Sequence, residues 1–204
     1  MISVSDYQRD VLGELINIGV GRAAGVLNQM IDSHVELLVP EVVFFDSIQD
    51  LLGKNIFEPD ETVSAIKLDF HGFFSGVAAL VFPPSSACNL VQALVGHCPA
   101  TDDMDSLRIG ALQEIGNIVL NGVMGSMGNM LNRHINYSPP VYFEETFHDL
   151  VRSGLDQGER MVLFVRTHFR MEGREISGDI LLFFKVETFA ALLEAIDAMS
   201  DWTC

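Results

Sequence analysis

An internal repeat constrains the fold of this chain more than any other sequence feature. The segment 12–40, LGELINIGVGRAAGVLNQMIDSHVELLVP, aligns without a gap with the segment 112–140, LQEIGNIVLNGVMGSMGNMLNRHINYSPP. At an offset of 102, the segment 75–94 aligns with 177–196 in the same way. Self-similarity of this kind predicts two copies of one structural unit. The positions that keep their residue type at the offset of 100 are Leu12, Glu14, Asn17, Ile18, Gly25, Met30, His34 and Pro40.

Each copy shows the same order of predicted elements. Apolar spacing predicts a long helix over about 6–32 and another over about 104–133. Three strand-like runs follow each long helix, and a second helix closes each half, at 85–95 and 187–199. The runs are HVELLVPEVVFF, TVSAIKLDF and SGVAALVFP in the first half, and YSPPVYFEE, ERMVLFVRTHFR and GDILLFFKV in the second.

Neither half is large enough to stand alone. Three strands and two helices could hardly bury a core of their own. We therefore predict a single α+β domain over 1–204, made of two repeats at about 6–99 and 104–200. The repeats share one continuous sheet with pseudo-two-fold symmetry, and the two long helices pack on it. The segments 45–60 and 148–158 are predicted to be polar, turn-rich connections.

A glutamate and an asparagine form the strongest functional signal of the sequence. Glu14 and Asn17 recur at the same phase as Glu114 and Asn117, although most neighbouring polar positions differ. Residues three apart on a helix are surface neighbours, with about 5–6 Å between their Cβ atoms. One such pair would more simply be a solvated helix surface. The pair is repeated, however, and asparagine is a mediocre helix former, so helix propensity does not explain why it is present twice. This repetition favours a role in contacting a partner.

The long helices also contain many glycines, each of which weakens a helix by roughly 1 kcal/mol relative to alanine. We predict that these glycines allow the two helices to lie close to each other or to the sheet. No phosphate-binding glycine loop is indicated, because no Gly-x-Gly-x-x-Gly follows a strand. The glycines concerned are Gly19, Gly21, Gly25, Gly122, Gly125 and Gly128.

The charge and the N-terminus argue against several classes of protein. The formal net charge is -16, and such a surface repels nucleic-acid phosphates and anionic lipid headgroups. The first residues do not form a signal peptide, and the longest low-charge stretch, IGNIVLNGVMGSMGNML, is too polar to span a membrane. The sequence therefore predicts a cytoplasmic protein that neither binds nucleic acid nor inserts into a membrane.

Familiar catalytic and metal-binding signatures are absent from the sequence. Cys88, Cys98 and Cys204 share no metal-ligand spacing and are expected to be free thiols. There is no His-Glu-x-x-His spacing and no Gly-x-Ser-x-Gly elbow. We expect no metal or cofactor bound by this chain, so its chemistry must need only an amide and a carboxylate.

One reaction needs so little from the catalyst. The aspartyl phosphate of a response regulator is already reactive, and the regulator supplies a Mg²⁺ ion and a lysine. Phosphoryl transfer is catalysed mainly by positioning and electrostatics, so an inserted amide that holds a water in line with the phosphorus can suffice. A carboxylate beside that amide could pair with the lysine of the regulator.

At these positions the sequence resembles the CheC / CheX / FliY family of chemotaxis phosphatases. The family pattern is Asp or Ser, three residues, Glu, two residues, Asn, 22 residues and Pro. The likeness covers essentially the whole chain. Its length and two motifs resemble CheC more than CheX, which usually has one motif, or FliY, which has an additional flagellar-switch domain. The pattern is matched by Asp10, Glu14, Asn17 and Pro40 and by Glu114, Asn117 and Pro140, and it is broken at Gly110.

The resemblance implies an enzyme that dephosphorylates phosphorylated CheY. Asn17 and Asn117 would then place the attacking water, and Glu14 and Glu114 would contact the lysine of the regulator. Asp10 is a further expected substrate-binding residue. The implied partners are a CheY-type regulator, which carries the Mg²⁺, and the receptor deamidase CheD. Two alternatives are a binding module for the regulator or CheD with little catalysis, and a structural component of the flagellar switch.

Overall fold

The computed structural model describes residues 3–30, 34–54, 56–58, 60–95, 102–153, 160–171 and 174–200. The first half contains α1 (Asp6–Met30), β1 (Val35–Phe45), α2 (Ile48–Leu52), β2 (Thr62–Gly72), β3 (Gly76–Phe82) and α3 (Pro84–Val95). The second half contains α4 (Asp102–Met130), β4 (Ile135–Tyr137), β5 (Val141–Thr146), α5 (Phe147–Ser153), β6 (Arg160–Met171), β7 (Arg174–Lys185) and α6 (Val186–Ser200).

One antiparallel sheet runs through both halves, in the order β1-β6-β7-β3-β2, with β4 and β5 both paired to the outer side of β2. The predicted α+β architecture with one continuous sheet is confirmed. By their order along the chain, β1 corresponds to β4 and β5, β2 corresponds to β6, and β3 corresponds to β7. With this correspondence, the order of strands read from one edge of the sheet matches the order read from the other edge. Ala79 lies opposite Leu181, its counterpart at the offset of 102, in the central pair β3–β7. The limits of the two repeats stay a prediction.

The first strand of each half is exchanged between the halves. β1 pairs with β6 of the second half, and β4 and β5 pair with β2 of the first half. Each exchanged strand is interrupted near its proline. The register of β1 shifts between Leu38 and Glu41, and the second half leaves the sheet between Tyr137 and Val141. Proline lacks the N–H that a ladder needs, which explains why the single strand predicted at YSPPVYFEE is two short strands.

Helices cover both faces of the sheet. The long helices α1 and α4, with α3 and α6, pack their buried apolar residues on one face, against side chains such as Ile66, Leu80 and Ile180. The opposite face carries a separate apolar cluster that includes Leu51 of α2 and Phe147 of α5. The two clusters take alternate residues along the strands, as the period of two in a strand requires.

The short helices α2 and α5 correct the prediction that 45–60 and 148–158 are only polar connections. Ser47 starts α2 by accepting a hydrogen bond from the backbone N–H of Asp50 at 3.1 Å, and Thr146 does the same for Asp149 at the start of α5. Short side chains of this kind are typical helix caps. Neither helix is evident from the sequence, because their polar residues face outward, while Leu51 and Phe147 are buried against the sheet.

The prediction of close helix packing is confirmed at two glycines. A Cβ atom built on Gly19 of α1 would lie 2.5 Å from Cα of Val123 and 2.8 Å from the carbonyl oxygen of Gly122. A Cβ on Gly122 of α4 would in turn lie 2.8 Å from the carbonyl oxygen of Gly19. Real Cβ atoms do not approach a backbone so closely, so the two helices can touch here only because both residues are glycine.

The other glycines divide into two groups. A Cβ on Gly128 would lie 2.9 Å from the carbonyl oxygen of Arg133, so this position is also closely packed. Gly116, which the sequence analysis did not include, allows α4 to lie on the Ile66 side chain of the sheet. The packing prediction is wrong at three positions, because nothing lies within 4 Å of a Cβ built there. These positions are Gly21, Gly25 and Gly125.

Cys88 does not have the state predicted from the sequence. The prediction of a free thiol is wrong at Cys88, which is disulfide-bonded. Sequence spacing did not reveal this, because it carries no information on which thiols meet in space. Cys98 and Cys204 lie outside the described residues. No helix in the described part of the chain is long and apolar enough to cross a membrane.

Asp179 is an acidic residue buried in the middle of the sheet. Only 8% of its surface is exposed, and its Oδ1 atom lies 3.6 Å from Nε of Arg166. Burial raises the pKa of Asp179 from 3.8 to about 6, and Glu41 adds to this rise. Arg166 and His168 oppose the increase without cancelling it. The folded state therefore binds a proton at this carboxyl more tightly than the unfolded chain does.

We expect Asp179→Asn to stabilise the fold at about pH 7.5 by about 3 kcal/mol, since the pKa rises from 3.8 to about 6 on folding and one pKa unit corresponds to about 1.4 kcal/mol. The folded-state pKa lies above the unfolded value, so the contribution of Asp179 to stability is full below about pH 4 and is lost as pH rises through about 6. Urea denaturation across this range should show the gain vanish below about pH 4. Asp46→Asn at an exposed position is the control, and a gain independent of pH would contradict the prediction.

Candidate functional site

The first motif lies on the exposed face of α1. Asp10, Glu14 and Asn17 are all exposed, while Leu15 and Ile16 between them are buried against the sheet. The predicted helix therefore carries its apolar residues inward and its motif outward. The spacing of three and four residues places the three polar side chains along one stripe of the helix.

A capping box fixes the start of this motif helix. The Ser5 hydroxyl accepts a hydrogen bond from the backbone N–H of Gln8 at 3.2 Å, and the Gln8 side chain accepts one from the N–H of Ser5 at 2.9 Å. The Gln8 amide also donates to both carboxylate oxygens of Asp197 on α6, at 3.0 and 2.9 Å. On the strand side, the Arg9 guanidinium lies 4.8 Å from the ring centroid of Phe44 in β1. These contacts hold the first turn of α1 on both sides, directly before Asp10.

The second motif lies on α4 and differs from the first in one hydrogen bond. Glu114 is exposed, but Asn117 is only half-exposed. The Asn121 side chain, one turn further along, donates from Nδ2 to Oδ1 of Asn117 at 2.6 Å. Oδ1 of Asn121 is buried and has no hydrogen-bond partner among the described residues. The counterpart of Asn121 in the first half is Gly21, so α1 has no such contact.

Several contacts hold the strand after α4 against the second motif. The Gln113 side chain, next to Glu114, donates to the carbonyl oxygen of Pro140 at 3.4 Å. Arg108 and Tyr142 both bond Oε2 of Glu144 on β5, each at 2.9 Å. Burial raises the pKa of Tyr142, the Ser64 hydroxyl opposes this rise and Glu144 adds to it, so the phenol remains a hydrogen-bond donor at neutral pH.

These contacts give a structural reason for the 22 residues between asparagine and proline in the motif. The chain completes the long helix, turns, and returns along the first strand. The return brings Pro140 beside the residue that precedes Glu114. In the first half the equivalent Pro40 lies where the register of β1 shifts. Packing does not impose the departure at Gly110, because a Cβ there would meet nothing within 4 Å.

Three residues at these sites were not predicted from the sequence. Tyr7 and Leu107 are large apolar residues that are 43% and 44% exposed, and each lies three residues before the first motif position, at Asp10 and Gly110. Both could have been found, since they interrupt the polar stripe of their helices at the same repeat position. Asn121 could also have been found, because an asparagine inside a helix four residues after another is placed to bond it.

The motif residues lie on the surfaces of α1 and α4. A cavity of about 450 Å³ lies between the end of α4 and α6, near Met130, Arg133 and Met199, and no motif residue lines it. Among the described residues, no group of three or more His, Cys, Asp or Glu side chains is arranged to hold a metal ion. An amide and a carboxylate on a helix surface suit a reactive group that another macromolecule carries to them.

Comparisons with curated proteins give two relatives of interest. The chain is 24% identical over 206 residues to the CheY-P phosphatase CheC of Bacillus subtilis, covering 96% of each chain. It is also 24% identical over 191 residues to the flagellar motor switch phosphatase FliY of the same organism, covering 92% of this chain and 48% of FliY. No family model matches the chain.

Comparisons with solved structures give the same fold. The crystal structure of Thermotoga maritima FliY matches with a TM-score of 0.76 and 19% identity, over 97% of this chain and 99% of that one. CheX in its complex with CheY, BeF₃ and Mg²⁺ from Borrelia burgdorferi matches with a TM-score of 0.50 and 11% identity, over 84% and 97%. Together with the curated relatives, these matches confirm the resemblance to the CheC / CheX / FliY family that the two motifs indicate.

Proposed function

We propose that this chain is a phosphatase that removes the aspartyl phosphate of a CheY-type response regulator in chemotaxis. The observation that carries the proposal is the doubled Glu-x-x-Asn motif, exposed on one stripe of α1 and repeated on α4. The names of the two Bacillus subtilis relatives, both phosphatases, support the same activity. The Borrelia burgdorferi complex supports the choice of partner, because it joins a protein of similar fold to CheY.

In the proposed mechanism the motif helix enters the active site of the regulator. The amide of Asn17, or of Asn117 at the second site, holds a water molecule in line with the phosphorus. The water oxygen bonds to phosphorus as the bond to the aspartyl oxygen breaks. The aspartate leaves as a carboxylate, and the water proton goes to the phosphate product. The Mg²⁺ of the regulator would neutralise the charge on the transferring group, and positioning the water is the contribution of this chain.

The carboxylates would set the register of the complex. Glu14 and Glu114 are exposed one turn before the asparagines and would pair with the lysine in the active site of the regulator. Asp10 is exposed one turn earlier and would add a second acidic contact at the first site only, since the second has Gly110. Ion pairs of this kind mainly steer association and fix orientation.

A second candidate function is a module that binds the regulator, or the deamidase CheD, with little catalysis. Tyr7 and Leu107 favour it, because exposed apolar side chains beside a charged stripe also suit a surface used only for binding. The two functions separate in one assay, with phosphorylated regulator in about tenfold excess. A phosphatase releases many phosphates per chain, whereas a binding module protects about one regulator per site and releases none beyond the rate of the regulator alone.

The proposed docking of the helices predicts a role for Tyr7 and Leu107 in affinity. We expect Tyr7→Ser and Leu107→Ser together to raise KM for the phosphorylated regulator about fivefold and to leave kcat unchanged, because truncating an apolar contact at an interface typically costs about 1 kcal/mol. Steady-state phosphate release measures both constants. Val26→Ser, at an equally exposed apolar position of α1, is the matched control. A fall in kcat with constant KM would contradict this role.

A further inference from the structure

We infer that Asn121 positions the amide of Asn117, so that the two sites of this chain are chemically unequal. The inference rests on the proposed function and assigns to it a residue outside the Glu-x-x-Asn motif. Asn121 lies one turn after Asn117 on α4 and bonds its Oδ1 atom at 2.6 Å. This bond directs Oδ1 of Asn117 along the helix and so restrains the orientation of its side-chain amide.

The stability of the fold does not explain why residue 121 is an asparagine. Its Oδ1 atom is buried without a hydrogen-bond partner in the part of the chain that the structure describes. An unpaired buried acceptor opposes folding, and an apolar residue of the same size would avoid that cost. Asparagine is also a mediocre helix former in this position. An asparagine that weakens its own helix and bonds a motif residue is better explained by what it does to that residue.

Restraining the side-chain amide of Asn117 affects the placing of the attacking water, which is the step that this kind of catalyst must achieve. A free asparagine side chain samples several rotamers, and only some of them would hold water in line with the phosphorus. The bond from Asn121 restricts these rotamers before the regulator binds. The entropy cost of ordering the Asn117 side chain therefore does not add to the barrier of the reaction. The exposed Asn17 has no such neighbour, because position 21 is Gly21 and a Cβ there would meet nothing within 4 Å. The second site is therefore preorganised, although it lacks the acidic residue at position 110.

The first experiment compares Asn121→Leu in two backgrounds. Asn17→Ala leaves only the second site, and there we expect Asn121→Leu to lower kcat about 3- to 10-fold with KM unchanged, as for the loss of one hydrogen bond. Asn117→Ala leaves only the first site, and there the same substitution has no asparagine to position. A general loss of folding caused by Asn121→Leu would act in both backgrounds. Asn129→Leu, at an exposed position of α4, is the matched control.

The second experiment moves the contact to the first site. In the Asn117→Ala background, Gly21→Asn places an asparagine one turn after Asn17, in open space. We expect kcat to rise about threefold above that of Gly21→Ala, which controls for the loss of a helix glycine. This result cannot arise from a structural role of Asn121 itself.

Each outcome decides the inference. An equal loss of kcat in both backgrounds, an unchanged kcat in the Asn17→Ala background, or a change confined to KM would overturn it. No gain from Gly21→Asn over Gly21→Ala would also count against it. If the Asn17→Ala protein releases no phosphate at all, the proposed function fails at the second site and the inference fails with it. If that protein is active and Asn121→Leu does not change it, only the inference fails.

Discussion

Replacing both Asn17 and Asn117 by alanine should reduce kcat for phosphate release by about 100-fold or more, while the chain still binds the phosphorylated regulator. In the proposed mechanism the amide is the group that holds the water in line, and misplacing a reacting atom by about 1 Å costs on the order of 100-fold in rate. The carboxylates of Glu14 and Glu114 remain in the double variant, so KM should change little.

The measurement is the rate of inorganic phosphate release from the phosphorylated regulator, with binding followed separately by titration. Asn28 should not serve as a control, since its side chain bonds the backbone of Val35. Asn129→Ala is suitable, because Asn129 is exposed on α4 and lies outside both motifs. Full activity in the double variant would refute the mechanism, and a loss of binding together with activity would mean that the asparagines hold the regulator rather than the water.

The single variants should be unequal. Each site alone is expected to support turnover, but the two differ in two respects that act in opposite directions. The first has Asp10 to steer the regulator and an unrestrained Asn17, whereas the second has Gly110 and an Asn117 bonded to Asn121. Because electrostatic steering acts mainly on association and preorganisation acts on the chemical step, the first site should have the lower KM and the second the higher kcat.

Much of this fold could be predicted from the repeat. A half that cannot bury its own core must share one with its copy, and the sheet does run through both halves. The exchange of β1, β4 and β5 between the halves could not be predicted, because strand pairing depends on long-range contacts that a single sequence does not encode locally. The helices α2 and α5 were missed for a related reason. Each is short, and the apolar residues that hold it, Leu51 and Phe147, find their partners far away in the sequence.

The candidate site was predictable to a similar extent. The repeat marks Glu14, Asn17 and their copies, since it separates positions that are kept from those that change. It cannot mark Asn121, which is present in one half only. The repeat also selects Gly25 and Gly125, yet both face open space. A residue type that is kept in both halves therefore does not by itself reveal why it is kept. The distances to neighbouring atoms show which glycines the packing requires and which it only tolerates.

That distinction gives a direct test of how the two motif helices are held together. Gly19→Ala should lower the free energy of unfolding by about 2–3 kcal/mol, because the new Cβ would lie 2.5 Å from the Cα atom of Val123. Gly21→Ala, two residues later in the same helix, should instead raise it by up to about 1 kcal/mol, because alanine is the better helix former and nothing lies within 4 Å.

Urea denaturation of the two variants against the parent chain measures both changes. Helix propensity alone would make both substitutions stabilising. A decrease in the free energy of unfolding for Gly19→Ala would therefore be due to the backbone contact with α4. Gly122→Ala should be destabilising like Gly19→Ala, because its Cβ would lie 2.8 Å from the carbonyl oxygen of Gly19. The double variant should lose less than the sum of the two, since a single separation of the helices relieves both clashes. Two stabilising single variants would mean that α1 and α4 do not approach at these glycines, and the relative placement of the two sites would then rest on the sheet alone.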